Sequence, residues 1–113
     1  MTKKTRGKKL PGFTYQTATG CGKMYVTLNE KDGQVWELFA TMGKAGGCAS
    51  CQIETIGRII SVGFQNGVEP KLIIKQMQGI SCHSPLVIGE SKTLSCADAI
   101  AKVLKEHLEN KTV

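Results

Sequence analysis

The chain has 113 residues, 41% of them hydrophobic, and a formal net charge of +6. This length suits one domain with a modest core, and no run of about 18 apolar residues offers a membrane span. Lys3, Lys4, Arg6, Lys8 and Lys9 supply most of the excess charge, so the rest is nearly neutral and does not indicate a nucleic-acid-binding fold. Residues 1–9 read as a basic disordered leader without an aromatic ring for base stacking, and residues 10–113 as a single domain. No secretory apolar stretch opens the chain, which points to the cytoplasm and to reduced thiols.

After Leu10-Pro11-Gly12, residues Phe13 to Thr17 alternate weakly and predict a first strand. Met24 to Leu28 alternates clearly and predicts a second. Asp32-Gly33 is a tight-turn signal, and Val35 to Thr41 returns as a third strand. Trp36, Leu38 and Ala40 are expected to face the core, with Val35, Glu37 and Phe39 on the other side.

Gly43 to Gly47 breaks the strand pattern. Ala49 to Asn66 has a helical period, with Ile53, Ile56, Ile60 and Phe64 on one face, widened by Ile59. Gly57 and Gly63 each weaken this helix by roughly 1 kcal/mol relative to Ala, and leave room for close packing. Asn66-Gly67 stops it, and Pro70 opens a second helix with Leu72, Ile73, Gln76 and Met77 expected inside. Ile80 to Thr93 reads as a loop with a short extended piece at Leu86-Val87-Ile88. Ser95 and Asp98 have capping-box spacing ahead of a last helix striped by Ala97, Ile100, Ala101, Leu104 and Leu108. His107 is expected to be solvated near the end of that helix, and the few acidic residues to lie mostly at the surface. Strands first and helices after predict an α+β domain: a small antiparallel sheet of two or three strands, with three helices packed on one face.

The chemistry concentrates in five cysteines: Cys21, Cys48, Cys51, Cys82 and Cys96. An odd number argues against a closed set of disulfides. Four of them sit at element edges among Gly, Ser and Pro, where turns can aim sulfurs at a shared point, instead of on the apolar stripes. Zinc takes four thiolate or imidazole ligands, and Cys48-x-x-Cys51 has the gap of a chelating knuckle. A second such pair is missing, so a site requires the fold to gather dispersed residues, with one cysteine or His83 left over. Positions at helix starts are expected to ease deprotonation of Cys48, Cys51 and Cys96. The same Cys48/Cys51 pair has the spacing of a redox dithiol, although no βαβ pattern precedes it. A third reading is an anion site at Lys44, Gly46 and Gly47, where a glycine-rich turn enters a helix. The lysine precedes the glycine pair, unlike a phosphate-binding loop. No catalytic constellation is present.

Five blocks in order resemble the TSCPD domain found at the C-terminus of adenosylcobalamin-dependent (class II) ribonucleotide reductases: Thr19 to Thr27, Phe39 to Ala49, Glu54 to Ser61, Gly79 to Cys82, and Leu94 to Ile100. The resemblance runs from about Lys8 to Leu108. It implies Cys21, Cys48, Cys82 and Cys96 as a zinc ligand set, with Cys51 as the surplus thiol or a substitute. Ala97 stands where the naming motif has proline, and His83 where the family has another. The resemblance also implies a reductase catalytic chain as partner, with oligomer formation open. The large barrel, its reactive cysteines and its cobalamin and nucleotide sites do not fit in 113 residues, so no cobalamin is expected on this chain. It is expected to be a free-standing, non-catalytic accessory or regulatory domain, with thiol electron transfer or nucleotide binding as the alternatives.

Overall fold

The computed structural model describes residues 6–43, 47–82 and 85–110. Three strands, β1 (Gly12–Thr19), β2 (Gly22–Lys31) and β3 (Gln34–Met42), form an antiparallel sheet in the order β1-β2-β3. Helices α1 (Gly47–Gln65) and α2 (Pro70–Met77) follow, then a small hairpin of β4 (Leu86–Ile88) and β5 (Ser91–Thr93), and finally α3 (Cys96–Asn110). The architecture is α+β, as the order of the sequence patterns predicts. The region read as a loop contains a second extended piece, β5, too short to leave a periodic signal of its own.

The β2–β3 turn places both Asp32 and Gly33 at positive φ, 55° and 79°. That geometry matches the right-handed twist of a two-residue hairpin. Alternation along β2 sends Met24, Val26, Leu28 and Glu30 inward. Leu38 and Ala40 of β3 face inward opposite Leu28 and Val26. Between Asn29 and Glu30 the register shifts, since Asn29 pairs with Glu37 but Glu30 with Val35. Trp36 is thus an extra residue, and the inward direction flips beyond it. Val35 therefore joins the core, against the simple alternation expected from sequence. Trp36 is buried too, but outside the main cluster, with the Lys31 ammonium 5.4 Å from its ring centroid. Arg6, in the segment read as a leader, docks on the outer face through 2.6 and 3.1 Å bonds to Glu37, which also accepts from Asn29.

The helices close the inner face. Met24, Leu28, Leu38, Ile53, Ile100 and Leu104 are essentially inaccessible and share one cluster. Each large aliphatic side chain buried there contributes about 1.5–3 kcal/mol. α1 packs along β3, the edge strand. There the Ser61 hydroxyl accepts from the Leu38 N–H at 2.9 Å and stands 3.1 Å from the Leu38 carbonyl, satisfying backbone groups that no strand pairs. Gly57 makes the approach possible, because a Cβ there would lie 3.0 Å from the Leu38 carbonyl oxygen. Ile59, expected to widen the buried face of α1, is instead 66% exposed. In α2 the buried residue is Ile74, flanked by partly buried Ile73 and Met77. Leu72 and Gln76, expected inside, are exposed, because one short helix lying against α3 buries a narrower stripe.

Candidate functional site

The N-terminal end of α3 is built from three separate stretches of chain. Ser95 caps the helix: its hydroxyl accepts from the Asp98 N–H at 3.0 Å and donates to the Ile80 carbonyl at 2.6 Å. The capping-box reading holds for Ser95, but the Asp98 carboxylate turns elsewhere. It accepts from the Gly79 N–H at 2.9 Å and the Leu94 N–H at 3.0 Å, and pairs with Lys102 at 3.3 Å. Burial would raise the Asp98 carboxyl, but these donors outweigh it and hold it below the usual carboxylate range. Asp98 thereby ties the end of α2 to the start of α3, and the Cys82 N–H donates to the Leu94 carbonyl at 2.9 Å. Cys82 is held near the start of α3 as a result.

Cys21 arrives from the β1–β2 turn. Thr19, only 5% exposed, organises that turn: its hydroxyl donates to the Gly22 carbonyl at 2.8 Å and accepts from the Cys21 N–H at 3.1 Å. The same oxygen is 3.8 Å from Cys96 Sγ. Burial pushes the Cys96 thiol up, the Thr19 contact offsets this in part, and the neighbouring Cys21 and Cys82 push it up further. Cys21 and Cys82, from distant parts of the chain, thus both lie near enough to Cys96 to disfavour its thiolate. The expectation that a helix start would ease deprotonation of Cys96 is overturned, since burial and like-charge neighbours outweigh the helix end.

The other sequence candidates fall as follows. Cys48 lies in the first turn of α1, and its side chain is outside the described set. Cys51 is exposed, three residues further along the same helix, with its carbonyl accepting from Thr55. Lys44, Gly46 and His83 lie outside the described residues, while Gly47 opens α1. Among the described residues no three Cys, His, Asp or Glu side chains stand in metal-ligating geometry.

At the opposite end of α3 the sequence reading needs correction. His107 is 2% exposed, not solvated. Its Nε2 lies 2.8 Å from Glu30 Oε2, and its Nδ1 lies 2.7 Å from the Tyr15 hydroxyl. Phe13 packs on the ring with centroids 5.2 Å apart. An ionised Glu30 can only accept, so Nε2 carries the proton facing it. Burial, followed by Glu106 and Glu30, raises the Tyr15 phenol. Most acidic residues lie at the surface, as expected, and Glu30, Glu37 and Asp98 are the buried exceptions. Thr19, Asp98 and this Glu30–His107–Tyr15 chain left no short-range mark in the sequence, apart from the Ser95–Asp98 spacing.

No helix among the described residues is long and apolar enough to cross a membrane. No curated protein and no solved structure is detectably similar to the chain. The family model described as the TSCPD domain matches residues 1–108, nearly the whole chain, and the chain belongs to the TSCPD domain family.

Proposed function

We propose that this chain is a non-catalytic accessory domain, stabilised by one zinc ion, that works in the cytoplasm with a ribonucleotide reductase catalytic chain. The observation that supports the metal reading is that Cys21 and Cys82 both lie near Cys96 at the start of α3, with Thr19 touching Cys21 and Cys96. Thiolates suit zinc, and a divalent cation reverses the repulsion that otherwise keeps neighbouring thiols protonated. Cys48 is the fourth ligand in this reading, and Cys51 is the spare. Bound zinc would supply cross-linking of the β1–β2 turn, the α2–β4 segment and two helix starts. The chain's own residues prepare this: Thr19 orients Cys21, while Asp98 and Ser95 hold Cys82 near the start of α3. The association with a reductase rests on family membership.

Metal analysis of protein purified under reducing conditions without added metal tests the site. One zinc per chain is expected, and thiol titration should reach only Cys51 until a chelator is added. A metal-free protein with all thiols reactive contradicts the proposal. The exposure of Cys51, one turn along α1 from Cys48, favours a second reading as a redox dithiol. Reversible formation of a Cys48–Cys51 disulfide near a cellular thiol potential, in a protein without zinc, would select it.

A further inference from the structure

The side-by-side packing of α2 against α3 leaves a cleft of about 730 Å³ whose walls include Ile74 and Leu108. Lys71 and Lys75, one turn apart on α2, rim one side, and Lys105 of α3 rims the other. Glu109 is the one carboxylate on its walls. None of the three lysines is ion-paired among the described residues. A second hollow of about 340 Å³ shares Leu108 as a wall and is lined by Phe64, Val68, Glu69 and Pro70. The lysine-rimmed cleft makes a trough with an apolar floor and a cationic border, and the second hollow adjoins it at Leu108.

We propose that this trough docks an acidic amphipathic helix from a partner protein. The floor asks for a row of aliphatic side chains, and the three lysines ask for carboxylates flanking that row. A compact polyphosphate fits less well. The last turns of both α2 and α3 border the cleft, and helix C-termini carry partial negative charge. The lysines offset that charge at the rim and project beyond it, where an extended acidic partner can reach them. Their aliphatic stems widen the apolar surface that the partner covers. The trough is built by α2 and the C-terminal half of α3, so this proposal stands independently of the metal reading.

The probe is a synthetic amphipathic helix of about 15 residues, with leucines at i, i+4 spacing and flanking glutamates, compared with the same peptide carrying lysines instead. Methyl NMR titration of the full chain should move the Ile74 and Leu108 signals with the acidic peptide. Binding should weaken with salt. The double variant Lys71→Glu, Lys105→Glu should bind at least about tenfold more weakly with an unchanged melting temperature, both side chains being exposed. Several outcomes would overturn the proposal. These are unmoved methyl signals at about 1 mM acidic peptide, equal binding of the basic peptide, and inorganic triphosphate moving the same methyls more tightly than the acidic peptide. Concentration-dependent shifts of these methyls without any peptide would assign the trough to a second copy of the chain and would also overturn it.

Discussion

Cys96 and His107, near the two ends of α3, lie about 16 Å apart along one helix, and each end gathers side chains from strand and helix alike. At the C-terminal end every partner is matched. Glu30 takes one imidazole nitrogen of His107, Tyr15 takes the other, and Phe13 seals the ring. At the N-terminal end the backbone is as carefully satisfied, by Ser95, Asp98 and Thr19, and the groups it positions are thiols. Cys96 meets the Thr19 hydroxyl at 3.8 Å and the Cys21 thiol, and Cys21 is exposed. Thiols are weak hydrogen-bonding groups, so a rigid frame that brings two of them near a third gains little from the thiols themselves. The comparison teaches that polar clusters of equal order can differ in purpose. One is closed by its own hydrogen bonds, while the other is where the proposed zinc would bind.

The largest expected effect breaks that contrast at its sulfur side. In the metal-loaded protein, Cys96→Ser should lose the zinc and about 3–5 kcal/mol of stability in urea unfolding, because metal-binding energy is also folding energy. After chelation the same substitution should cost less than about 1 kcal/mol, since only a weak thiol contact remains to be lost. Equal costs in both states would mean that the thiol acts by packing alone.

Next comes Asp98→Ala, at about 3 kcal/mol. It strips the shared acceptor from the Gly79 and Leu94 N–H groups and releases the segment that holds Cys82. The Asp98 carboxyl is depressed in the folded state, so its contribution is fully present above the unfolded value near pH 4 and fades as pH falls through the folded value. The stability gap between wild type and variant, followed by acid titration, should close in that direction. A gap that widened below pH 4 would contradict the assignment.

Glu30→Ala should cost about 2 kcal/mol by leaving the His107 Nε2–H without its acceptor in a dry site. Metal content should not change, which sharpens the distinction between the two ends. Tyr15→Phe should be the mildest, at about 1 kcal/mol, because the ring stays and only one hydrogen bond goes. Zinc loss in either variant would show that the two ends are coupled.

Much of the frame was readable because it is local. Asp32-Gly33 marks its hairpin by backbone chemistry alone, Pro70 and Gly67 punctuate the helices, and Gly57 announces the close contact with β3. The bulge at Trp36 was not readable, since a tryptophan at an inward position satisfies the simple alternation just as well. His107 was misread for a different reason. Its chain neighbours, Glu106 and Glu109, look like a solvated helix end, while its partners Glu30 and Tyr15 lie 77 and 92 residues away. The candidate site shows the same division. Turn residues around each cysteine signalled that the sulfurs sit at element edges. That Cys21 and Cys96 come together depends on the contact of Thr19 with Cys96, 77 residues apart in the chain, which no local pattern announces.

Zinc-edge X-ray absorption on the protein purified without added metal tests the central claim most directly. The account predicts a single shell of four sulfurs at about 2.3 Å, retained in Cys51→Ser and lost in Cys82→Ser. A protein without zinc, or a shell of nitrogen and oxygen in place of sulfur, would contradict it.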